Sequence, residues 1–144
     1  MINKLRVRAQ SESGFTLVEL LVVMLILGLL AAIAIPAFFN QRDKAADAEA
    51  KSTAKTAQTA METYATDNNG SYVTATEEKL LAIEPTLDVS KIELSPVPTA
   101  TNYSIDVSST VAGQVFSIDR TAGALSYPCT ASGKGGCPAG GWGG

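Results

Sequence analysis

GFTLVELLVVMLILGLLAAIAIP, residues 14–36, holds twenty-one consecutive positions between Gly14 and Pro36 whose only clearly polar members are Thr16 and Glu19. At a rise of about 1.5 Å per residue the run predicts a helix of roughly 32 Å, enough to cross a hydrocarbon core of about 30 Å. A carboxylate at mid-bilayer costs roughly 2.5 to 3.5 kcal/mol, so an acid in such a run marks a partnered or functional group by default. Glu19 lies about one turn inside, and a hydrated or protonated interfacial acid is the alternative reading. Lys4, Arg6 and Arg8 precede the run. As positive-inside signals they put the N-terminus in the cytoplasm and the bulk of the chain outside.

Two general readings of this N-terminus compete with a specific one. A secretory signal peptide has an apolar region of about 7 to 15 residues and a small-x-small cleavage site, for which Ala32-Ile33-Ala34 is available. The run is long for that, contains Glu19, and continues into Ile35 and Pro36. A plain single-pass anchor needs only the apolar run and its basic flank, and leaves the Gly14, Phe15 and Glu19 constellation without a purpose.

The stretch from Ser13 through Gly14, Phe15, Thr16, Leu17, Val18 and Glu19 to Val23 resembles the processing site of type IV pilins and of the pseudopilins of type II secretion and DNA uptake. The resemblance covers roughly the first third of the chain. It implies a cytoplasmic leader over residues 1–14, cleavage by a prepilin peptidase after Gly14, and methylation of the new N-terminus at Phe15. It also implies that Glu19 neutralises the N-terminus of an adjoining subunit during assembly. Partners implied in the same way are other pilin-like subunits in a helical homo-oligomer, the peptidase, an assembly platform protein and an ATPase, with membrane lipid around the helix before assembly. The location implied is the bacterial inner membrane for the precursor and a periplasmic or cell-surface filament afterwards. Physically, the freed amine of Phe15 is positive at neutral pH, and Glu19 is its nearest source of opposite charge.

The apolar run, residues 15–36, leads into an amphipathic half helix, residues 37–69. Ala50, Ala54, Ala57, Met61 and Tyr64 recur at spacings of four, three, four and three, a narrow apolar stripe suited to cover a sheet. Asp47 and Lys51 are placed to pair across one turn. Together the halves predict one helix of about fifty residues, on the order of 78 Å. Gly28 and Pro36 are its weak points, with a kink or loosened turn expected near the proline. Ala31, Ala32 and Ala34 permit close helix packing.

A head over residues 70–138 follows. Asp67-Asn68-Asn69-Gly70 ends the helix. A short second helix is expected over residues 77–84, with Thr76 as N-cap and Pro85 as its stop. Residues 86–101 read as a loop with a short edge strand around residues 92–94. Beyond Asn102 the period changes to two. Tyr103, Ile105 and Val107, then Phe116 and Ile118, then Leu125 and Tyr127 alternate with polar residues, predicting three antiparallel strands joined through residues 110–113 and 121–124. Residues 139–144, around Trp142, read as a flexible or surface-adhering Gly-rich tail. The fold class is α+β, a long N-terminal helix packed on a small antiparallel sheet.

Cys129 and Cys137, the only cysteines, lie outside the membrane on this topology. Such a pair most simply forms a disulfide closing a short loop, for about 2 to 3 kcal/mol. A zinc site would have to recruit carboxylates, because the chain has no histidine. Lys134 in the intervening Gly-rich loop is expected to be exposed. No metal or cofactor is expected, and no ligand set for the calcium site of some secretion pseudopilins can be placed by motif. There is no phosphate loop or nucleophile elbow, and Glu93, Asp106 and Asp119 read as solvated strand residues. A net charge of −3 argues against a generally nucleic-acid-binding surface, and no local feature marks a DNA site. The chain is therefore read as a structural subunit, not an enzyme. The rival is a membrane-anchored or secreted small binding domain that does not polymerise, which the mature N-terminus distinguishes.

Overall fold

The computed structural model describes residues 14–143, and the basic leader segment with Lys4, Arg6 and Arg8 lies outside the described residues. Two units divide the chain, Met1–Ala37 and Phe38–Gly144. Helix α1 (Leu17–Asp67) contributes to both and runs through Gly28 and Pro36 without interruption. In the first unit every described residue is exposed, and α1 is almost wholly apolar there. By length and composition this is a helix able to cross a membrane.

The second unit has its own core. Ala50, Ala54, Ala57, Met61 and Tyr64 are all buried, joined by Ala60 and Ala65. Alanines on this face keep the helix surface low, so the opposing Ile105, Val107, Phe116 and Ile118 fill the layer and are fully buried. The sheet is antiparallel in the order β1 (Ile92–Glu93), β2 (Tyr103–Ser108), β3 (Val115–Thr121), β4 (Ala124–Ser126). Register pairs Ile105 with Ile118 and Val107 with Phe116, so one face carries the core. β3 and β4 join through Ala122 and Gly123, both at positive φ (50° and 84°), the backbone that a two-residue hairpin turn requires.

Helix α2 (Glu77–Ile83) begins as expected, with the Thr76 side chain accepting from the Lys79 N–H, and ends ahead of Pro85. The short strand near Ile92 is also present. One expectation needs correction. β4 is exposed along its length, with Leu125 41 % exposed, because it lies at the sheet edge beyond the reach of α1. The Gly-rich tail lies on the head: the Trp142 indole N–H donates to the carbonyls of Ser117 and Pro128, and its ring meets Phe116 and Tyr127 edge-on. A half-buried indole with both polar partners and aromatic walls outweighs the freedom of its glycine neighbours.

Candidate functional site

At the start of α1, Gly14, Phe15 and Thr16 are non-helical and exposed. The Thr16 carbonyl accepts from the Leu20 N–H at 3.2 Å, the first bond of the helical ladder. Its Oγ1 accepts from the Glu19 N–H, also at 3.2 Å. Thr16 is thus the N-cap of α1, and Glu19 stands at the third helical position, exposed, in the first turn. Negative charge there is favoured by the helix dipole. Thr16 carried no role in the sequence reading, although Thr-x-x-Glu ahead of an apolar run is the sequence pattern of a capping box.

The head is tied to α1 by two carboxylates. Glu62 Oε1 accepts from the Tyr103 hydroxyl at 2.8 Å and from Arg120 Nη1 at 2.9 Å, while Oε2 accepts from the Tyr72 hydroxyl at 2.9 Å. The Tyr72 and Tyr103 rings stack edge to face, centroids 4.8 Å apart. Burial, reinforced by the hydrogen bond to the negative Glu62, pushes the Tyr103 phenol well above its ordinary range, and the same causes raise Tyr72. Tyr64 moves the opposite way, lowered chiefly by its hydrogen bond with Thr74 and by the neighbouring Lys79.

Asp47 is 1 % exposed, and its two oxygens accept from Ser109 Oγ at 2.8 Å and from the Gly136 N–H at 2.7 Å. The surface pair with Lys51 expected from spacing is therefore not what Asp47 makes; Lys51 instead places its ammonium 5.2 Å from the centre of the Phe116 ring. Asp47 holds the loop closed by the Cys129–Cys137 disulfide. That loop exposes Lys134. Close passage is built in, since a Cβ on Gly136 would lie 2.7 Å from that of Asp47. Lys55 lies 3.7 Å over the Tyr127 ring, on the aromatic group that docks Trp142.

Neither carboxylate is free to act on a ligand, as each is engaged by donors of the head. Glu93, Asp106 and Asp119 are not brought into a shared cluster with them; Asp119 accepts from Ser104 Oγ. Gly14, Phe15 and Glu19 stay together at the helix start, whereas Gly28 and Pro36 lie further along α1.

The family described as a prokaryotic N-terminal methylation motif matches residues 10–35. Over 133 residues the chain is 31 % identical to fimbrial protein EcpC of Eikenella corrodens, covering 85 % of each chain. It is 37 % identical over 76 residues to type II secretion system core protein G of Klebsiella michiganensis, 53 % of this chain and 52 % of that one. It is also 45 % identical over 51 residues to type IV major pilin protein PilA of Myxococcus xanthus, 35 % of this chain and 23 % of that one. The chain thus spans about half the length of the Klebsiella secretion relative. No solved structure matches it.

Proposed function

The chain belongs to the family of type IV pilins and type II secretion pseudopilins, and from that premise we propose that it is inserted in the inner membrane as a precursor, cut after Gly14 and methylated at Phe15. As a pilin-like filament subunit it is a structural protein. The observation that carries the finer reading is the junction itself. An exposed, non-helical Gly14-Phe15 bond stands directly before an exposed apolar helix with Glu19 in its first turn.

Hydrolysis there creates an α-amine one residue ahead of the helix cap. In a lipid-like setting that charge needs a partner, and Glu19 of a neighbouring subunit supplies it, fixing the axial step between subunits. The apolar first unit is held by lipid before assembly and by copies of itself afterwards, with Gly28 and Pro36 as the points where its helix yields. A peptidase, a platform protein and an ATPase act on the chain in this scheme. The end state is an extracytoplasmic filament with the heads outside.

Intact mass and N-terminal sequencing of protein from native membranes and from sheared surface material test the reading. A chain beginning at N-methyl-Phe15 in both fractions is expected. An intact Met1, or a start at Ile35, overturns it in favour of a static anchor or a secreted domain.

A further inference from the structure

The cap on α1 bears directly on the bond to be cut. With Thr16 as N-cap, the ladder opens at Leu20 N–H to Thr16 O, and the Glu19 N–H is satisfied by the Thr16 hydroxyl. Had the helix continued two residues further back, its i to i−4 pattern would tie the Glu19 N–H to the Phe15 carbonyl and the Val18 N–H to the Gly14 carbonyl. The Gly14 carbonyl is the one a peptidase must attack. Whether it is free or locked into the ladder is therefore decided by where the helix starts.

Chemistry at this depth favours the locked form unless something prevents it. Near a bilayer, little water is available for orphan N–H groups, and a helix end lacking a side-chain acceptor gains by drawing in the next carbonyls. The Thr16 hydroxyl removes that incentive for Glu19. Gly14 adds no barrier, since its Cβ position is open space.

We infer that Thr16 is a positioning residue for processing: by capping α1 it holds the Gly14-Phe15 bond outside the helix and leaves the Gly14 carbonyl free for hydrolysis. Water then adds across that bond, its oxygen joining the Gly14 carbonyl carbon and a proton going to the departing Phe15 nitrogen. The inference rests on cleavage after Gly14.

The test follows conversion of full-length precursor to mature chain by mass, in native membranes carrying the peptidase, for wild type, Thr16→Val, Thr16→Ser and Thr16→Asn. Val keeps the shape and loses the acceptor, whereas Ser and Asn both cap. Conversion of Thr16→Val is expected to be roughly five- to tenfold slower, with Ser and Asn near wild type. In the Val variant the Cα chemical shift of Phe15 moves to its helical value, a change that loss of packing would not produce. Wild-type speed for Thr16→Val overturns the inference. So does an Asn variant as slow as Val beside a fast Ser variant, which would mean that the peptidase reads the hydroxyl itself. If wild type keeps its original N-terminus, the processing reading fails and takes this inference with it; if wild type is cut and the Val variant is cut equally fast, the inference alone fails.

Discussion

Residues 17–37 and the head that follows use the same kinds of side chain in opposite ways. Leu25 and Ile33 are 60 % and 76 % exposed, while Ile105 and Ile118 are fully buried. In the head, apolar area is removed from water within one chain, at about 25 cal/mol per Å². Within its own unit, every described residue of the apolar arm is left exposed, an apolar surface of the kind that marks contact with a membrane or with other proteins. A chain built this way separates two questions, whether it folds and whether it assembles, and places them in different stretches of sequence.

Substitutions should divide along that line. Glu19→Ala carries the largest expected effect: the precursor is inserted and cleaved, the head unfolds at its wild-type temperature, and filaments disappear from electron micrographs. Abundant filaments from this variant would break the division. Asp47→Ala should act on the head alone. It leaves the Gly136 N–H and Ser109 hydroxyl without their acceptor, and thermal unfolding of the full chain in detergent should register a loss of about 2 to 3 kcal/mol. A change too small to resolve would mean that the clasp is incidental. Glu62→Ala should cost about 2 kcal/mol by the same measurement, less than three charged hydrogen bonds suggest because the Glu62–Arg120 part is partly exposed.

The smallest effect at neutral pH is also the most specific. The Tyr103 phenol is raised in the folded head, so the stability it contributes is complete below the ordinary phenol value near 10. As pH rises beyond that, the unfolded chain loses its proton first and stability falls, by at most about 1.4 kcal/mol per pH unit for this group. Tyr72 adds to the same slope. Tyr103→Phe should flatten the alkaline limb of a stability profile, and an unchanged limb would show that burial beside Glu62 does not raise this phenol.

Much of the head's fold is legible in the sequence. The stripe from Ala50 to Tyr64 and the alternation in β2 and β3 are periodic, and periodicity is what one-sided burial imposes on a sequence. The motif around Gly14 and Phe15 is likewise visible in the sequence, and the matched family covers residues 10–35. What escaped was single residues whose partners are remote. Asp47 four residues before Lys51 reads as an ordinary surface pair, yet its acceptors serve residues 62 and 89 positions away. Nothing in the periodicity of α1 singles out Glu62, whose partners Tyr103 and Arg120 are brought over it by the sheet. Trp142 is hidden by glycines that make its surroundings look loose, and Leu125 alternates correctly but at an edge where no helix covers it.

The bond from Gly136 to Asp47 gives the head a sense of order in time. Asp47 is synthesised eighty-nine residues ahead of the amide that satisfies it. A chain delivered from its N-terminus offers this carboxylate only the Ser109 hydroxyl until the loop carrying Gly136 arrives. A copy truncated just short of Gly136 would possess every strand of the sheet and the Ser109 hydroxyl, yet leave the second oxygen of Asp47 without its donor. The clasp on Asp47 is thus completed only from the disulfide loop, after every strand of the sheet.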